Sequence, residues 1–384
     1  MFFILLHIAI SEQKTYSHRY SFPNIYSWYT KKVAQNNDDS WALLGWERPE
    51  GVNPVISPAE TSWYCPMNKE EIQWEQSDTF NPAAVVKDGK IVVMYRAEDN
   101  SAQGIGKRTS RVGYATSYDG VAFERSTSPI VYPAEDGQKD NEWPGGCEDP
   151  RVAVTDDGTY VILYTQWNRK VPRLAAAISR DLKEWVKYGP VFQNAYDGKF
   201  VNMATKSASI LTRVNDEGKL VISKVNGQYF MYWGEEHVYC AYSDNLYDWK
   251  PVVNDDGSLK KLFSPRKGFF DSQLTECGPP AILTSKGIVL IYNGKNKKGD
   301  GDADYPDNAY CAGQALFDLN NPEKLITRLD KPFLAPKDDF EKSGQYPDGT
   351  VFTEGLVYYK NTWYLYYGCA DSRVAVVTSK AELK

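Results

Sequence analysis

Histidine is scarce in this chain. Three occur in 384 residues, His7, His18 and His237, two of them near the N-terminus. A Ser-His-Asp triad or a multi-histidine metal site would therefore have to be built on His237 alone, and acid–base chemistry falls to carboxylates. The six cysteines (Cys65, Cys147, Cys240, Cys277, Cys311 and Cys369) are scattered without C-x-x-C spacing, which excludes the usual zinc and redox signatures. They read as small buried apolar residues. Basic excess is missing too: the net charge is −6 with both signs mixed along the chain, so a nucleic-acid or anionic-membrane partner is not expected. Long apolar runs are absent. Residues 1–10, MFFILLHIAI, are apolar but too short to span a bilayer. Residues 1–12 read as the core of a signal segment, giving a periplasmic or secreted location, although no basic residue precedes them and no clear cleavage site follows. A mis-assigned start, with a cytoplasmic protein, is the rival. Helical periodicity is weak, which disfavours a (β/α) barrel.

Aromatic residues are abundant, with 27 Tyr and 11 Trp. They favour strands, and they also stack on sugar rings while hydrogen-bonding to hydroxyls at the ring edge. The tyrosines expose a repeat. IVVMYRAED (91–99), YVILYTQWN (160–168), YFMYWGEE (229–236), IVLIYNGKN (288–296) and WYLYYGCAD (363–371) are apolar runs that end in Tyr and turn polar. Before each lies a turn (KDGK, DDGT, VNGQ, TSKG, YKNT) and an earlier strand (NPAAVV, DPRVAV, KSASIL, GPPAIL, EGLVYY). A third strand follows each, and three of these continue SYDGVAF, SRDLKEW and SDNLYDW, with Ser six residues before an aromatic. Five such units predict an all-β chain folded as a five-bladed β-propeller over residues 76–384, with residues 1–75 as an N-terminal extension packed on it. A pair of β-sandwiches is the alternative.

Loops on a rigid scaffold are where binding residues concentrate, so the residues entering the first strands are informative: Asn81-Pro82, Glu148-Asp149-Pro150-Arg151, Thr205-Lys206, Glu276-Cys277-Gly278 and Phe352-Thr353-Glu354-Gly355. The ends of the second strands reach the same rim with Arg96, Glu98, Asp99, Gln166, Asn168, Arg169, Glu235, Glu236, Asn293 and Asp371. Carboxylates, amides and aromatics with no metal or cofactor signature suit a neutral polyhydroxy substrate. Glycoside chemistry needs one carboxylic acid and one carboxylate. Asp149 is the candidate acid, because Pro150 and the glycines of GGCEDPRV hold it rigidly and Glu148 beside it would discourage its ionisation. The base is expected from Glu235 or Glu236 in YWGEEH. Asn81, Arg96, Asp99, Glu148, Arg151, Gln166, Asn168, Lys206, Glu276 and Asp371 are expected to bind sugar or orient the catalytic pair.

Two weaker motifs carry nothing further. GIGKRTSRVG (104–113) lacks a P-loop or dinucleotide pattern and reads as a connection between strands. GDGDADYPD (299–307) alternates Asp as a calcium loop does, but Tyr305 stands where Gly is required and no Glu closes it, so it reads as a solvated acidic turn.

TFNPAAV, MYRAED, GGCEDPRV, YTQWNRK, LTECGPPAI and YYGCADS, in this order, resemble the blade motifs of glycoside hydrolase family 130 across residues 75 to 384. The likeness is nearest to members from gut Bacteroidetes that act on β-1,2-linked mannosides. Many members are phosphorylases, in which the resemblance makes Asp149 the acid, acting through the sugar's 3-hydroxyl, with phosphate held by arginine, lysine and histidine. Their third blade reads His-Arg-Pro or Thr-Arg-Pro where this chain has Trp233-Gly234-Glu235. A carboxylate there repels phosphate, by about 4 kcal/mol for like charges about 4 Å apart at an effective dielectric near 20, and is suited to deprotonating water. The expectation is an inverting β-mannosidase, with Lys206 and Arg169 still available to an anion. A mannoside phosphorylase and a non-catalytic carbohydrate-binding propeller are the rivals, and oligomeric state stays open.

Overall fold

A computed structural model describes residues 39–382 of the protein. The segment expected to be a signal, residues 1–12, lies outside the described residues. Among these residues helix is confined to Lys139–Glu142 and two single 3-10 turns; the rest of the regular structure is strand.

Five antiparallel meanders follow one another along the chain. Unit one is Asp78–Lys87, Lys90–Glu98 and Ser110–Ser117, edged by Glu124–Arg125. Unit two is Gly146–Val154, Tyr160–Trp167, Pro172–Ser179 and Val186–Pro190. Unit three is Ala208–Val214, Gln228–Trp233, Tyr239–Ser243 and Trp249–Pro251. Unit four is Leu274–Cys277 with Ala281–Thr284, then Gly287–Lys295, Tyr310–Phe317 and Leu325–Arg328. Unit five is Val351–Tyr359, Thr362–Cys369 and Arg373–Ser379.

Local chemistry explains the turns. Asp88-Gly89, Asn226-Gly227 and Lys360-Asn361 each place two residues at positive φ between directly paired strand ends, the geometry that matches the right-handed twist of a hairpin. After the third strands, the oxygens of Ser117, Ser179 and Ser243 accept from the backbone N–H three residues on, and Asp119, Asp181 and Asn245 take further amides. This closes a tight loop whose third residue is left-handed (Gly120, Leu182, Leu246). In two of the three the following tryptophan, Trp185 or Trp249, donates its indole N–H back to that leucine's carbonyl. The recurring Ser-to-aromatic spacing is thus a turn signature.

The first and second strands are buried along nearly their whole length, while edge strands such as Leu325–Arg328 are partly open. Five apolar clusters seal the units in order. Ala83, Met94, Val152 and Ile162 join one to two. Leu163, Ile210, Met231 and Trp233 join two to three. Leu211, Tyr232, Ile288 and Leu290 join three to four. Ile291, Leu356, Trp363 and Leu365 join four to five. Val93, Tyr95, Tyr366 and Val376 join five back to one. Truncating one of these large side chains to Ala would cost roughly 3–5 kcal/mol. Residues 47–56 run along the outer edge of unit five, with Glu47 bridging Thr378 and Ile56 bridging Val374, so the last strand does not present a bare edge. Gln314 brackets the backbone of Leu43 from both sides, and Arg48 grips Glu341.

Units one and two meet where Ser110 pairs in parallel with Gly146. Gly146 has φ 116°, and a Cβ there would lie 2.1 Å from the Ser110 carbonyl oxygen. Gly146→Ala should therefore lower stability by about 3 kcal/mol in denaturant unfolding. Gly158→Ala, at φ 80° in open space, should cost only about 1 kcal/mol. Equal midpoints for the two variants would contradict this packing.

Candidate active site

Three of the first strands carry a bulge near their start. Register slips between Phe80 and Pro82, between Glu148 and Arg151, and between Thr353 and Gly355. The residues expelled from the ladders are Asn81, Asp149 with Pro150, and Glu354. A bulge bends the strand and re-aims one side chain. Asn81 and Asp149 take the left-handed conformation, φ 45° and 48°, which short polar side chains tolerate better than others. Pro150 after Asp149 and Pro82 after Asn81 cannot donate to a ladder. This is why a carboxylate followed by Pro opens a strand: the break in pairing turns the side chain inward. Gly368 lies beneath Asn81, where a Cβ would fall 2.3 Å from Asn81 Oδ1.

Asp149 is held on all sides. Its Oδ1 accepts from Asn81 Nδ2 at 2.9 Å and Arg96 Nη1 at 3.0 Å, and its Oδ2 lies 3.4 Å from Lys206 Nζ. Burial alone would push the carboxyl up; Lys206, Arg96 and Arg151, with the Asn81 amide, outweigh it and hold the pKa well below the usual carboxylate range. Glu148, whose carboxylate meets Arg96 Nη2 at 2.8 Å, is instead pushed up to about 7 by burial, with Asp149 adding to the rise and Arg96 opposing it. The expected effect of Glu148 on Asp149 is therefore reversed. Arg96 sits between the two and the cations favour Asp149, so near neutrality the proton resides on Glu148.

A cavity of about 200 Å3 opens over Asp149. Five carboxyl side chains line it, Glu98, Asp149, Glu235, Glu276 and Asp371, against two cations, Arg96 and Lys206. Aromatic walls come from Phe80, Tyr310, Tyr346 and Phe352, with Tyr310 edge-on to both Tyr346 and Phe352. Burial pushes Glu276 up to about 7, with Glu235 adding to the rise and Lys206 and Arg151 opposing it. Asp371 is also raised to about 7, chiefly by burial, with Arg96 opposing. Burial works against the Lys206 ammonium, but Glu235, Asp149, Glu276 and Glu148 hold its pKa well above the lysine value. Lys206 is thus shared between Asp149 and Glu235.

The expected residues divide. Asn81, Arg96, Asp149, Lys206, Glu235, Glu276 and Asp371 meet at the cavity, and Glu148 stands directly behind Arg96. Glu236 does not line it; its side chain is exposed. Asp99 faces away and pairs with Arg111 at 2.8 Å. Gln166 is buried against Glu142 and Tyr164 in the body of unit two. Asn168 caps the exposed turn after Trp167, and Arg169 beside it is exposed. Arg151 lies below, with Nη1 on the Asp149 carbonyl at 2.9 Å and Nη2 on the Cys277 carbonyl at 3.1 Å. Tyr310, Gln345, Tyr346 and Ile105 were not anticipated. Tyr310 opens a third strand, and the others come from connections without counterparts in the repeat.

Comparison with known proteins bears on this arrangement. The family model of glycoside hydrolase family 130, described as beta-1,4-mannooligosaccharide phosphorylase, matches residues 55–383. A 1,2-beta-oligomannan phosphorylase of Thermoanaerobacter sp. (strain X514) is 31% identical over 315 residues, 81% of this chain and 92% of that protein. A solved structure of a glycosyl hydrolase from Bacteroides ovatus is 67% identical with a TM-score of 0.87, covering 88% of this chain and 94% of the other. Another, described as "The GH130 family of mannoside phosphorylases contains glycoside hydrolases that target beta-1,2 mannosidic linkages in Candida mannan", is 63% identical with a TM-score of 0.88, covering 90% and 97%. The motifs read from the sequence, the match along residues 55–383 and these likenesses agree: the chain belongs to glycoside hydrolase family 130.

Proposed function

We propose that the protein is a five-bladed β-propeller that hydrolyses β-mannosides, β-1,2-linked, releasing mannose with inversion. The circular order of the apolar clusters, with unit five sealed against unit one, supports the propeller. The observation that carries hydrolysis is the charge of the cavity: five carboxyls face two cations, and Glu235 contributes to the lining. Phosphate entering such a site meets the ionised Asp149, whereas water beside Glu235 meets a base.

In this reading Asp149 is the acid and Glu235 the base, with the sugar between them. Asp149 rests ionised because Lys206 and Arg96 hold it so. A neutral sugar wedged against Lys206 draws that ammonium toward Glu235 and the hydroxyls. With one cation withdrawn, burial raises the Asp149 pKa and the proton carried by its neighbour Glu148 becomes available to it. Protonated Asp149 then passes its proton to the leaving oxygen, the sugar's own 3-hydroxyl serving as relay, as the family resemblance implies. Glu235 takes a proton from water attacking the opposite face. Asp371 and Glu276, pushed up to about 7, can donate hydrogen bonds to sugar hydroxyls, and Tyr310 and Tyr346 offer faces for the ring.

Phosphorolysis is the second reading. It is favoured by the relative's description as a 1,2-beta-oligomannan phosphorylase and by Lys206 and Arg96 in the cavity. Incubation with β-1,2-mannobiose, with and without phosphate, separates the two. Hydrolysis yields free mannose at equal rates in both; mannose 1-phosphate formed only with phosphate would overturn it.

Lys206→Met gives a test of the charge assignments with a definite sign. Asp149 loses one of the cations that hold its carboxyl down, so its pKa rises. The acid is then protonated to higher pH than in the parent. The limb of the kcat/KM profile that follows Asp149 should move upward by about 1 pH unit or more. An unmoved profile would contradict the assignment.

A further inference from the structure

Glu354 has no part in the reaction as described, yet it is wholly buried in the third of the converging bulges. It stands at the position that Asn81 and Asp149 occupy in units one and two. Arg151 Nη2 lies 2.9 Å from its Oε1, but neither carboxyl oxygen meets any donor in hydrogen-bond geometry among the described residues. Arg151 itself is buried and ties its own unit two to unit four: its Nη1 donates to the Asp149 carbonyl, its Nη2 to the Cys277 carbonyl, and Nε to the Gly278 carbonyl at 3.4 Å. The guanidinium is thus a fan of donors below the cavity, and among the described residues its one ion-pair partner is Glu354.

We propose that Glu354 is a positioning residue: it seats Arg151 from below, and Arg151 in turn holds the Asp149 bulge at the height and orientation its carboxyl needs. Only the backbone carbonyl of Asp149 is gripped by Arg151, so the pair sets where Asp149 stands without touching substrate. Three further facts fit this role. A left-handed aspartate is strained and persists only where its surroundings hold it. Burial pushes the Glu354 carboxyl well up, with Arg151 opposing and Asp149 and Glu276 adding to the rise. The preceding residue, Thr353, is locked by Asn293 through its N–H at 2.8 Å and its hydroxyl at 2.9 Å, which fixes the bulge from the unit-four side.

The inference rests on the reading of Asp149 as the acid, and the test separates the two. Glu354→Leu removes the oxygen that faces Arg151 Nη2 at similar volume; Glu354→Gln restores one. With β-1,2-mannobiose and phosphate present, Glu354→Leu should lower kcat by ~30-fold with KM within about 3-fold, and Glu354→Gln should recover kcat to within about 3-fold of the parent. A folded Glu354→Leu with parental kcat would overturn the inference, as would Glu354→Gln being as impaired as Glu354→Leu. Should Glu354→Leu fail to fold, Arg151→Lys reads the grip that Glu354 is proposed to seat, since a single ammonium cannot span the three carbonyls. A kcat loss of ~10-fold or more at unchanged KM supports the seat, and an unchanged kcat overturns it. Activity retained in Asp149→Asn would sink the acid assignment; an inactive Asp149→Asn beside a fully active Glu354→Leu sinks only this inference.

Discussion

The account depends on one buried ion cluster: a left-handed aspartate gripped by an arginine and an amide from unit one and a lysine at the entry to unit three. Asp149 could not stand in an intact ladder and face the cavity, so the strand must break at Glu148 and resume at Arg151. Once expelled, the carboxylate is buried, and a buried charge is tolerable only when paired and hydrogen-bonded. Arg96 from the second strand of unit one, Asn81 from the first, and Lys206 at the entry to unit three supply those partners. Removing one of them would leave an uncompensated charge, which is why these residues form a unit rather than a set of contacts.

The same logic governs the rest of the cavity. More carboxyls than cations are crowded into about 200 Å3, and they cannot all ionise together. Asp371 and Glu276, with Glu148 behind Arg96, are pushed up to about 7, while Asp149 is held down by its cations. Environments that drive neighbouring carboxyls apart are what acid–base chemistry at neutral pH requires. The scaffold supplies rigidity: apolar clusters between consecutive units fix each first strand against its neighbours, and loops on such a frame can hold side chains to the tolerance that catalysis needs.

Much of this was legible in the sequence. The tyrosine-ended runs located all five second strands, and Asn81-Pro82 and Asp149-Pro150, read as entries to first strands, fall where those strands bulge. The misses follow from strand geometry. Side chains alternate faces along a strand, so Arg96 and Glu98 reach the cavity while Asp99 turns to Arg111. Glu235 enters from the bend that follows Gln228–Trp233, and Glu236 does not. Gln166 lay at the right distance along its strand but on the face packed against Glu142. Tyr346 and Gln345 belong to a connection with no repeat to predict it. The charge of Asp149 was misjudged because Glu148 is adjacent in sequence, whereas Lys206 and Arg96 are adjacent only in space.

The measurement closest to the central claim is the ionisation of Asp149 itself in the free protein. Carboxyl 13C NMR, with the resonance assigned by its loss in Asp149→Asn, follows that single group across pH. The account predicts a chemical shift that stays at the ionised value from pH 8 down to about pH 4, where an unperturbed aspartate would be about half protonated. A midpoint above about pH 5 would show that Lys206 and Arg96 do not hold the charge, and would contradict the account.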